Sequence, residues 1–425
     1  MRVSRLLRTV LAAAICVSLG LTFTPDHLSA LDEFFEEPDP GVADDENGDE
    51  TEDEAEDTED NDEPEDAEGI DFDALTTAPT TFSGSVSTGI GAAVSLIDWP
   101  WTDEAQARDP LENYELAGGY DLSASFGVDA RPGAHLRFSA RMGTSLNPDS
   151  MSLSAPRFSR LFVDYTLAES IYFRVGRYGM TWGQGRVVGN PANFVSDVSD
   201  GMAVRAVVPA GRGSVTGLVY SKGAWVSQYS PQNPKAFAYA GQWETSLDAI
   251  SLTAAGWGRY SEPLRTSASV SGSIGAFDLT VEAVNRWDWN RPFAPENLDL
   301  RLLTQVLWEG GDPSWVIIGE HLSDSTVPSF RGHRAGVALR MPRFGALGVN
   351  WRPQVRVRHA FHDNSGEVVT GLTGTVAPDL SMSIGAPFRY GPPGSYYRQG
   401  DFGSDLQDIG GVAALGLGVS LSFSF

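Results

Sequence analysis

The sequence predicts an all-β fold: a transmembrane, antiparallel, up-and-down β-barrel of about eighteen strands, with sixteen as the alternative count. Three observations predict it: side chains alternate with period two, connections alternate in length, and the first and last strands are both long and two-faced. The C-terminal stretch GVAALGLGVSLSFSF shows the period. Ala413, Leu415, Leu417, Val419, Leu421, Phe423 and Phe425 fall on one face, and Ala414, Gly416, Gly418, Ser420, Ser422 and Ser424 on the other. Residues 80–96 repeat it, with Phe82, Val86, Ile90, Val94 and Leu96 opposing Ser83, Ser85, Ser87, Gly89 and Gly91. Two such strands at the ends of a sheet can pair and close it into a ring.

The chain divides into three parts. Residues 1–30 read as a secretory signal peptide: Arg2, Arg5 and Arg8 precede an apolar run from Val10 to Phe23, with a small-residue cleavage site near Ala30. The only cysteine, Cys16, lies inside it, and Ile15 before it is too bulky for a lipidation signal, so cleavage leaves no thiol chemistry. Residues 31–75 form an acidic segment with 24 Asp or Glu and no Lys or Arg between Asp32 and Asp73. Self-repulsion and lack of apolar surface predict disorder there. An EF-hand reading fails because Ala43 stands where the first carboxylate belongs. Residues 76–425 are the barrel. From Ala74 onward 31 acids face 27 bases, so the net charge of −26 belongs to the segment before the barrel.

Between the terminal strands, alternation predicts strands at 115–130, 134–144, 158–167, 170–178, 201–209, 213–222, 236–245, 249–259 and 264–274. Others follow at 277–287, 299–308, 314–322, 332–341, 346–359, 367–376 and 380–388. Tight turns such as Arg131-Pro132-Gly133, Gly275-Ala276 and Pro378-Asp379 alternate without exception with longer connections, among them 98–114, 179–200 and 389–412. A soluble sandwich has no reason to do this, whereas bacterial outer-membrane barrels have short periplasmic turns and longer external loops. An even strand count places both termini in the periplasm.

Arginines decide which face is wet. A charge on the lipid face at mid-bilayer costs about 2–4 kcal/mol, so Arg137, Arg141, Arg174, Arg205, Arg334, Arg340, Arg356 and Arg358 are expected to point into the lumen. Asp164, Glu282 and Glu320 are expected beside them. Trp182, Trp257, Trp287, Trp289, Trp308 and Trp315 sit near strand ends, as interfacial girdles do.

The final strand, with Leu421, Phe423 and Phe425, resembles the C-terminal signal of bacterial outer-membrane β-barrel proteins. That resemblance implies recognition by the barrel-assembly machinery and residence in outer-membrane lipid. The segment RYGMTWGQG is similar to one in carbohydrate-exporter-like and porin-like outer-membrane families. In many porins the third external loop folds inward, so Arg177, Trp182, Gln184 and Arg186 are expected to line a constriction. Trimerisation is common among such porins, although no sequence feature here demands it.

The function expected is a porin-like channel for passive or weakly selective diffusion of small hydrophilic solutes, anionic or sugar-like. The alternatives are a non-channel surface barrel acting as an adhesin or structural element, and a polysaccharide exporter. No cofactor or metal is expected: the histidines beyond the signal segment are scattered, and no GxSxG, Walker or HExxH pattern appears, so no enzyme is expected. Without a basic patch interleaved with aromatics, nucleic acid is not a partner. The acidic segment reads as a spacer, a docking arm for a basic periplasmic partner, or a plug for the arginine-bearing lumen.

Overall fold

A computed structural model describes residues 80–97, 113–133, 135–147, 151–168, 170–196, 198, 201–221, 237–288, 299–311, 314–325, 332–392, 394–397 and 413–425. Eighteen main strands run through it. They are β1 (Thr80–Leu96), β2 (Tyr114–Gly133), β3 (Leu136–Asn147), β4 (Arg157–Leu167), β5 (Ile171–Arg177) and β6 (Ala203–Ala210). Next come β7 (Gly213–Ser221), β8 (Phe237–Leu247), β9 (Ile250–Arg259), β10 (Leu264–Ile274), β11 (Phe277–Trp287) and β12 (Asp299–Gly310). The last are β13 (Trp315–Asp324), β14 (His333–Arg340), β15 (Val349–Ala360), β16 (Ser365–Ala377), β17 (Leu380–Tyr390) and β18 (Ala413–Ser424). Every predicted strand is present, with ends within three residues of the sequence reading.

Each strand pairs antiparallel with the next, and β18 returns to β1 from Leu96↔Ala413 to Ser85↔Ser424. The sheet therefore has no free edge, which removes the unpaired amides an open sheet would present. The two ends of the barrel differ. The turn end carries the tight connections and the beginning and end of the sheet; the loop end carries the longer ones.

The strict alternation of connection lengths breaks at one place. The turn-end connection 341–348 has eight residues, longer than the loop-end connections 260–263 and 361–364. In it a three-residue strand, Phe344–Ala346, folds back on Val349–Trp351. The two residues between, Leu347 and Gly348, both have positive φ (56° and 76°), the conformation a type I′ hairpin turn requires.

Alternation sorts the side chains as predicted. Val86, Ile90, Phe126, Val175, Val219, Val281, Val306, Ile317, Val337, Val357 and Leu421 point outward and are exposed. Their neighbours in sequence point inward. The tryptophans divide differently from expectation. Trp315 is exposed on the outer face, whereas Trp182 and Trp257 are 5% and 2% exposed inside the barrel. These two are core side chains because a loop folded into the lumen covers them. Trp289 lies outside the described residues.

Val337 sits in the middle of β14 on the apolar outer band. Val337→Arg should lower the stability of the vesicle-embedded barrel by about 2–4 kcal/mol, while Val337→Leu should stay within about 0.5 kcal/mol. Denaturant titration in lipid vesicles measures both.

Candidate functional site: a strap across the lumen

The connection 178–202, between β5 and β6, enters the barrel and reaches the opposite wall. Its WGQG run allows the chain to lie against itself. Gly183 has φ +85°, and a Cβ there would stand 2.2 Å from Asn190 Oδ1; a Cβ on Gly185 would stand 2.1 Å from the Gly189 carbonyl oxygen. Asn190 Nδ2 donates to the Trp182 carbonyl at 2.7 Å, and the Trp182 amide donates to Asn193 Oδ1 at 3.3 Å. The result is a compact strap rather than an open loop.

One carboxylate clasps the strap. On β13, Glu320 accepts from the backbone amides of Arg186, Val187 and Val188 at 2.5, 2.7 and 2.9 Å. Three successive amides converging on two oxygens form an anion-binding concavity of the kind called a nest. Gln305 on β12 ties the clasp together, donating through Nε2 to Glu320 Oε1 at 2.7 Å and to the Gln184 carbonyl at 3.0 Å. Glu282 on β11 accepts from the Gln184 amide at 3.4 Å. Glu320 and Glu282 are both buried beneath the strap.

Apolar contacts surround the clasp. Val187 packs with Val316, Ile318 and Ala338, and Val188 with Leu303 and Leu322. A Cβ on Gly336 would stand 2.7 Å from Val187 Cγ1, so β14 offers a bare backbone there for the strap to rest on. At the strap's root, Tyr178, Trp182, Ala192, Phe194, Val195 and Val198 pack on inward residues of β4, β7, β8, β9 and β11. Trp257 Nε1 donates to Tyr220 Oη at 2.8 Å, and that hydroxyl donates to the Phe194 carbonyl at 3.3 Å. Burial pushes the Tyr178 phenol up to about 12 against the pull of Arg205 and Arg174, so it stays neutral.

The four residues expected at a constriction part company. Trp182 is buried at the root. Gln184 touches the far wall through its backbone. Arg177 ends β5 opposite Leu161, on the outward face at the loop end. It lies one residue out of phase with inward Arg174 and Gly176. Arg186 alone of the four leaves its side chain exposed from the strap.

The inward arginines fall into two sets. Several are paired: Arg137 with Asp129 at 2.8 Å and Arg174 with Asp164 at 2.7 Å. Glu367, 2% exposed, holds Arg389 at 2.8 Å and Arg356 at 3.5 Å and bonds Arg358. Arg358 also lies over the Tyr397 ring at 5.1 Å, and Arg334 bonds the Tyr396 hydroxyl and covers its ring at 4.6 Å. Both tyrosines belong to the connection after β17. Its anchor is Asp363, which accepts from the Tyr396 amide at 2.5 Å. Burial opposes ionisation of Asp363, but the Tyr396 and Ser365 donors and nearby His362 hold its carboxyl below the usual range.

The second set has no carboxylate within ion-pair distance among the described residues. Arg141 is exposed and bonds only the Ser125 hydroxyl, at 3.1 and 3.3 Å. Arg160 stands directly across from it in the register. Arg205 stands across from Arg174. Outside both sets, Arg340 projects inward near the turn end, opposite Gln354.

Sequence reasoning did not single out Asp129, Arg160, Gln305, Glu367 or Arg389. Parity would have turned Glu367 inward as the first residue of its predicted strand. Arg389 fell just beyond the predicted end of β17, where alternation could not be applied.

No family model matches the chain, and no curated protein matches it either. Among solved structures, Pseudomonas aeruginosa OpdO is 9% identical with a TM-score of 0.50, covering 81% of this chain and 97% of that one. OccAB2 of Acinetobacter baumannii is 9% identical with a TM-score of 0.47, covering 81% and 98%. An anion-selective porin from Comamonas acidovorans is 11% identical with a TM-score of 0.41, covering 82% and 100%. The fold is that of a porin barrel. At such identities the likeness extends to the fold alone.

Removing the clasp tests how the strap is held. Glu320→Ala leaves three inward amides without their acceptor while keeping the barrel closed. Trypsin cleavage after Arg186 should then rise about tenfold, the factor that corresponds to about 1.4 kcal/mol of lost restraint. Gel mobility without heating checks that the barrel remains folded.

Proposed function

We propose that the chain is an outer-membrane channel that passes small hydrophilic solutes and favours anions. The observation that carries this is the asymmetry of the lumen. The strap occupies the side formed by β7–β14, while the side formed by β17, β18 and β1–β3 presents small groups. Ser85 and Ser125 share a hydrogen bond at 2.7 Å, as do Ser87 and Ser123 at 2.6 Å, and Gly416, Gly418, Ser420 and Ser422 continue that wall. A path along these residues passes Arg141 and Arg160, which have no acid partner among the described residues. Fixed positive charge in a water-filled passage raises the local concentration of anions.

In this reading residues 1–30 direct export and are removed. Residues 31–75 then hang at the periplasmic, turn end, and Leu421, Phe423 and Phe425 guide insertion by the barrel-assembly machinery. A blocked, structural barrel is the rival reading, favoured by the three apolar clusters packed inside the lumen. Liposome swelling separates the two, since a blocked barrel admits no sugar.

Refolded protein in a planar bilayer under a salt gradient should give a reversal potential of anion-selective sign. The double variant Arg141→Gln/Arg160→Gln should conduct with the anion-to-cation permeability ratio reduced about twofold or more. Cation selectivity of the parent protein would refute the anion preference.

A further inference from the structure

Along β3 and β4 the inward arginines change character partway up the wall. Nearer the turn end, Arg137 and Arg174 are held by Asp129 and Asp164 at 2.8 and 2.7 Å. Above them, Arg141 on β3 and Arg160 on β4 stand directly opposite one another in the register, with Cα atoms about 4.5–5.5 Å apart. Arg157 of β4 faces the same way, opposite Gly143 and nearer the loop end. Arg141 and Arg157 are exposed and Arg160 is half-buried. Among the described residues, none of the three has a carboxylate within ion-pair distance.

A β-bulge brings the three together. Positions 157 and 160 have opposite parity, so an uninterrupted strand would turn one of them into lipid. The register shifts here: Arg141 pairs with Arg160 and Met142 with Phe158, which leaves Ser159 as the extra residue. Phe158 stays on the outer face, 46% exposed, and both arginines turn inward. Ser159 Oγ donates to the Arg141 carbonyl at 3.4 Å across the bulge. Bulges recur where a side chain is re-aimed toward a site. The wall around the arginines is bare, with Gly127 opposite Arg141 on β2 and Gly143 opposite Arg157. Arg141 donates through Nε and Nη2 to Ser125 Oγ at 3.3 and 3.1 Å, and that hydroxyl shares a hydrogen bond with Ser85 Oγ at 2.7 Å. These acceptors are neutral, so they orient the guanidinium without neutralising it. Five N–H donors on a guanidinium leave capacity for a ligand.

We propose that Arg141, Arg157 and Arg160 form a binding site inside the barrel for a tetrahedral dianion, a phosphate or sulfate group. The proposal deepens the anion-channel reading and rests on that reading's water-filled passage for access. A planar carboxylate has two oxygens, which a single guanidinium satisfies in a bidentate pair. Four oxygens in a tetrahedron can accept from guanidinium groups on two strands at once, and two negative charges answer more of the three positive ones. The ligand is a solute rather than a lipid headgroup, because all three arginines face the lumen.

Phenylglyoxal, which condenses with accessible guanidinium groups, tests it on the refolded full chain in detergent, with mass spectrometry reading each arginine. At about 5 mM, sodium phosphate or sulfate should slow modification of Arg141, Arg157 and Arg160 about fivefold relative to sodium chloride of equal ionic strength, the protection given by a Kd of about 1 mM. The more protective of the two anions names the ligand. Arg131, exposed at the turn end of β2, is the control and should react unchanged. In Arg160→Gln, protection of Arg141 should fall below about twofold, with gel mobility before heating confirming a folded barrel. Equal protection by chloride, or equal protection of Arg131, would overturn the proposal, since either reports screening rather than a site. So would acetate that protects as well as phosphate. Conduction does not enter this readout. Cation-selective reversal potentials with protection intact would remove the anion preference and leave the site, whereas anion selectivity without protection would remove the site alone.

Discussion

Backbone hydrogen bonding in hydrocarbon is the constraint on which the rest of this structure depends. Lipid offers no partner for an amide or a carbonyl, so a sheet that spans it must close on itself. The seam between β1 and β18 meets that demand to the last residue. Gly84 and Phe425 exchange two backbone hydrogen bonds, at 2.8 and 2.9 Å. The Phe425 ring then lies over Gly84 so closely that a Cβ there would stand 2.2 Å from it. A terminal aromatic and a glycine opposite it form one physical feature: the ring covers backbone that would otherwise face lipid bare.

Closure fixes the outer face and leaves the inner face free. Outward positions must be apolar, whereas inward ones can be arginine, serine or glycine without penalty, and this freedom lets one barrel hold two different interiors. On β18 and β1 the inward residues are small, as are most of those on β17 and β2, where Arg389, Asp121 and Asp129 are the exceptions. On β12 and β13 they are Leu303, Leu307, Val316, Ile318 and Leu322, greasy side chains that would be costly against water. They are tolerated because the strap covers them.

This difference decides how much could be read from the sequence. Period two revealed all eighteen strands, because lipid imposes the same pattern on each. It also turned the eight selected arginines inward, Arg174 and Arg358 among them. The strap was anticipated as a loop, but the roles of its residues were not: Trp182 was read as a lining or interfacial group and is a core residue. Its burial depends on Tyr220, Trp257 and Val284, which reach it only through the closed wall. A signal was present nonetheless. The stretch WVIIGEHL is apolar on both faces, with a lone acid among its inward positions. In a water-filled barrel such a strand announces something packed inside, and the acid marks where that something is held.

The strap needs both kinds of contact, and each makes the other effective. Hydrogen bonds to Glu320 alone would compete with lumen water, where a net contribution of about 1–3 kcal/mol is the most a charged acceptor commonly gives. Ordering the strap costs about 1–2 kcal/mol for each residue fixed, so bonds alone could not hold it. Apolar packing by Val187, Val188 and the aromatic root removes water and lowers the local dielectric, which strengthens the clasp. Packing alone would not choose a register, since valines can slide along a leucine-lined wall at little cost. Three amides meeting one carboxylate fix that register, because a shift by one residue turns an amide away from Glu320. The greasy inner wall supplies the adhesion, the carboxylate supplies the position, and the strap narrows the lumen from the side that holds it.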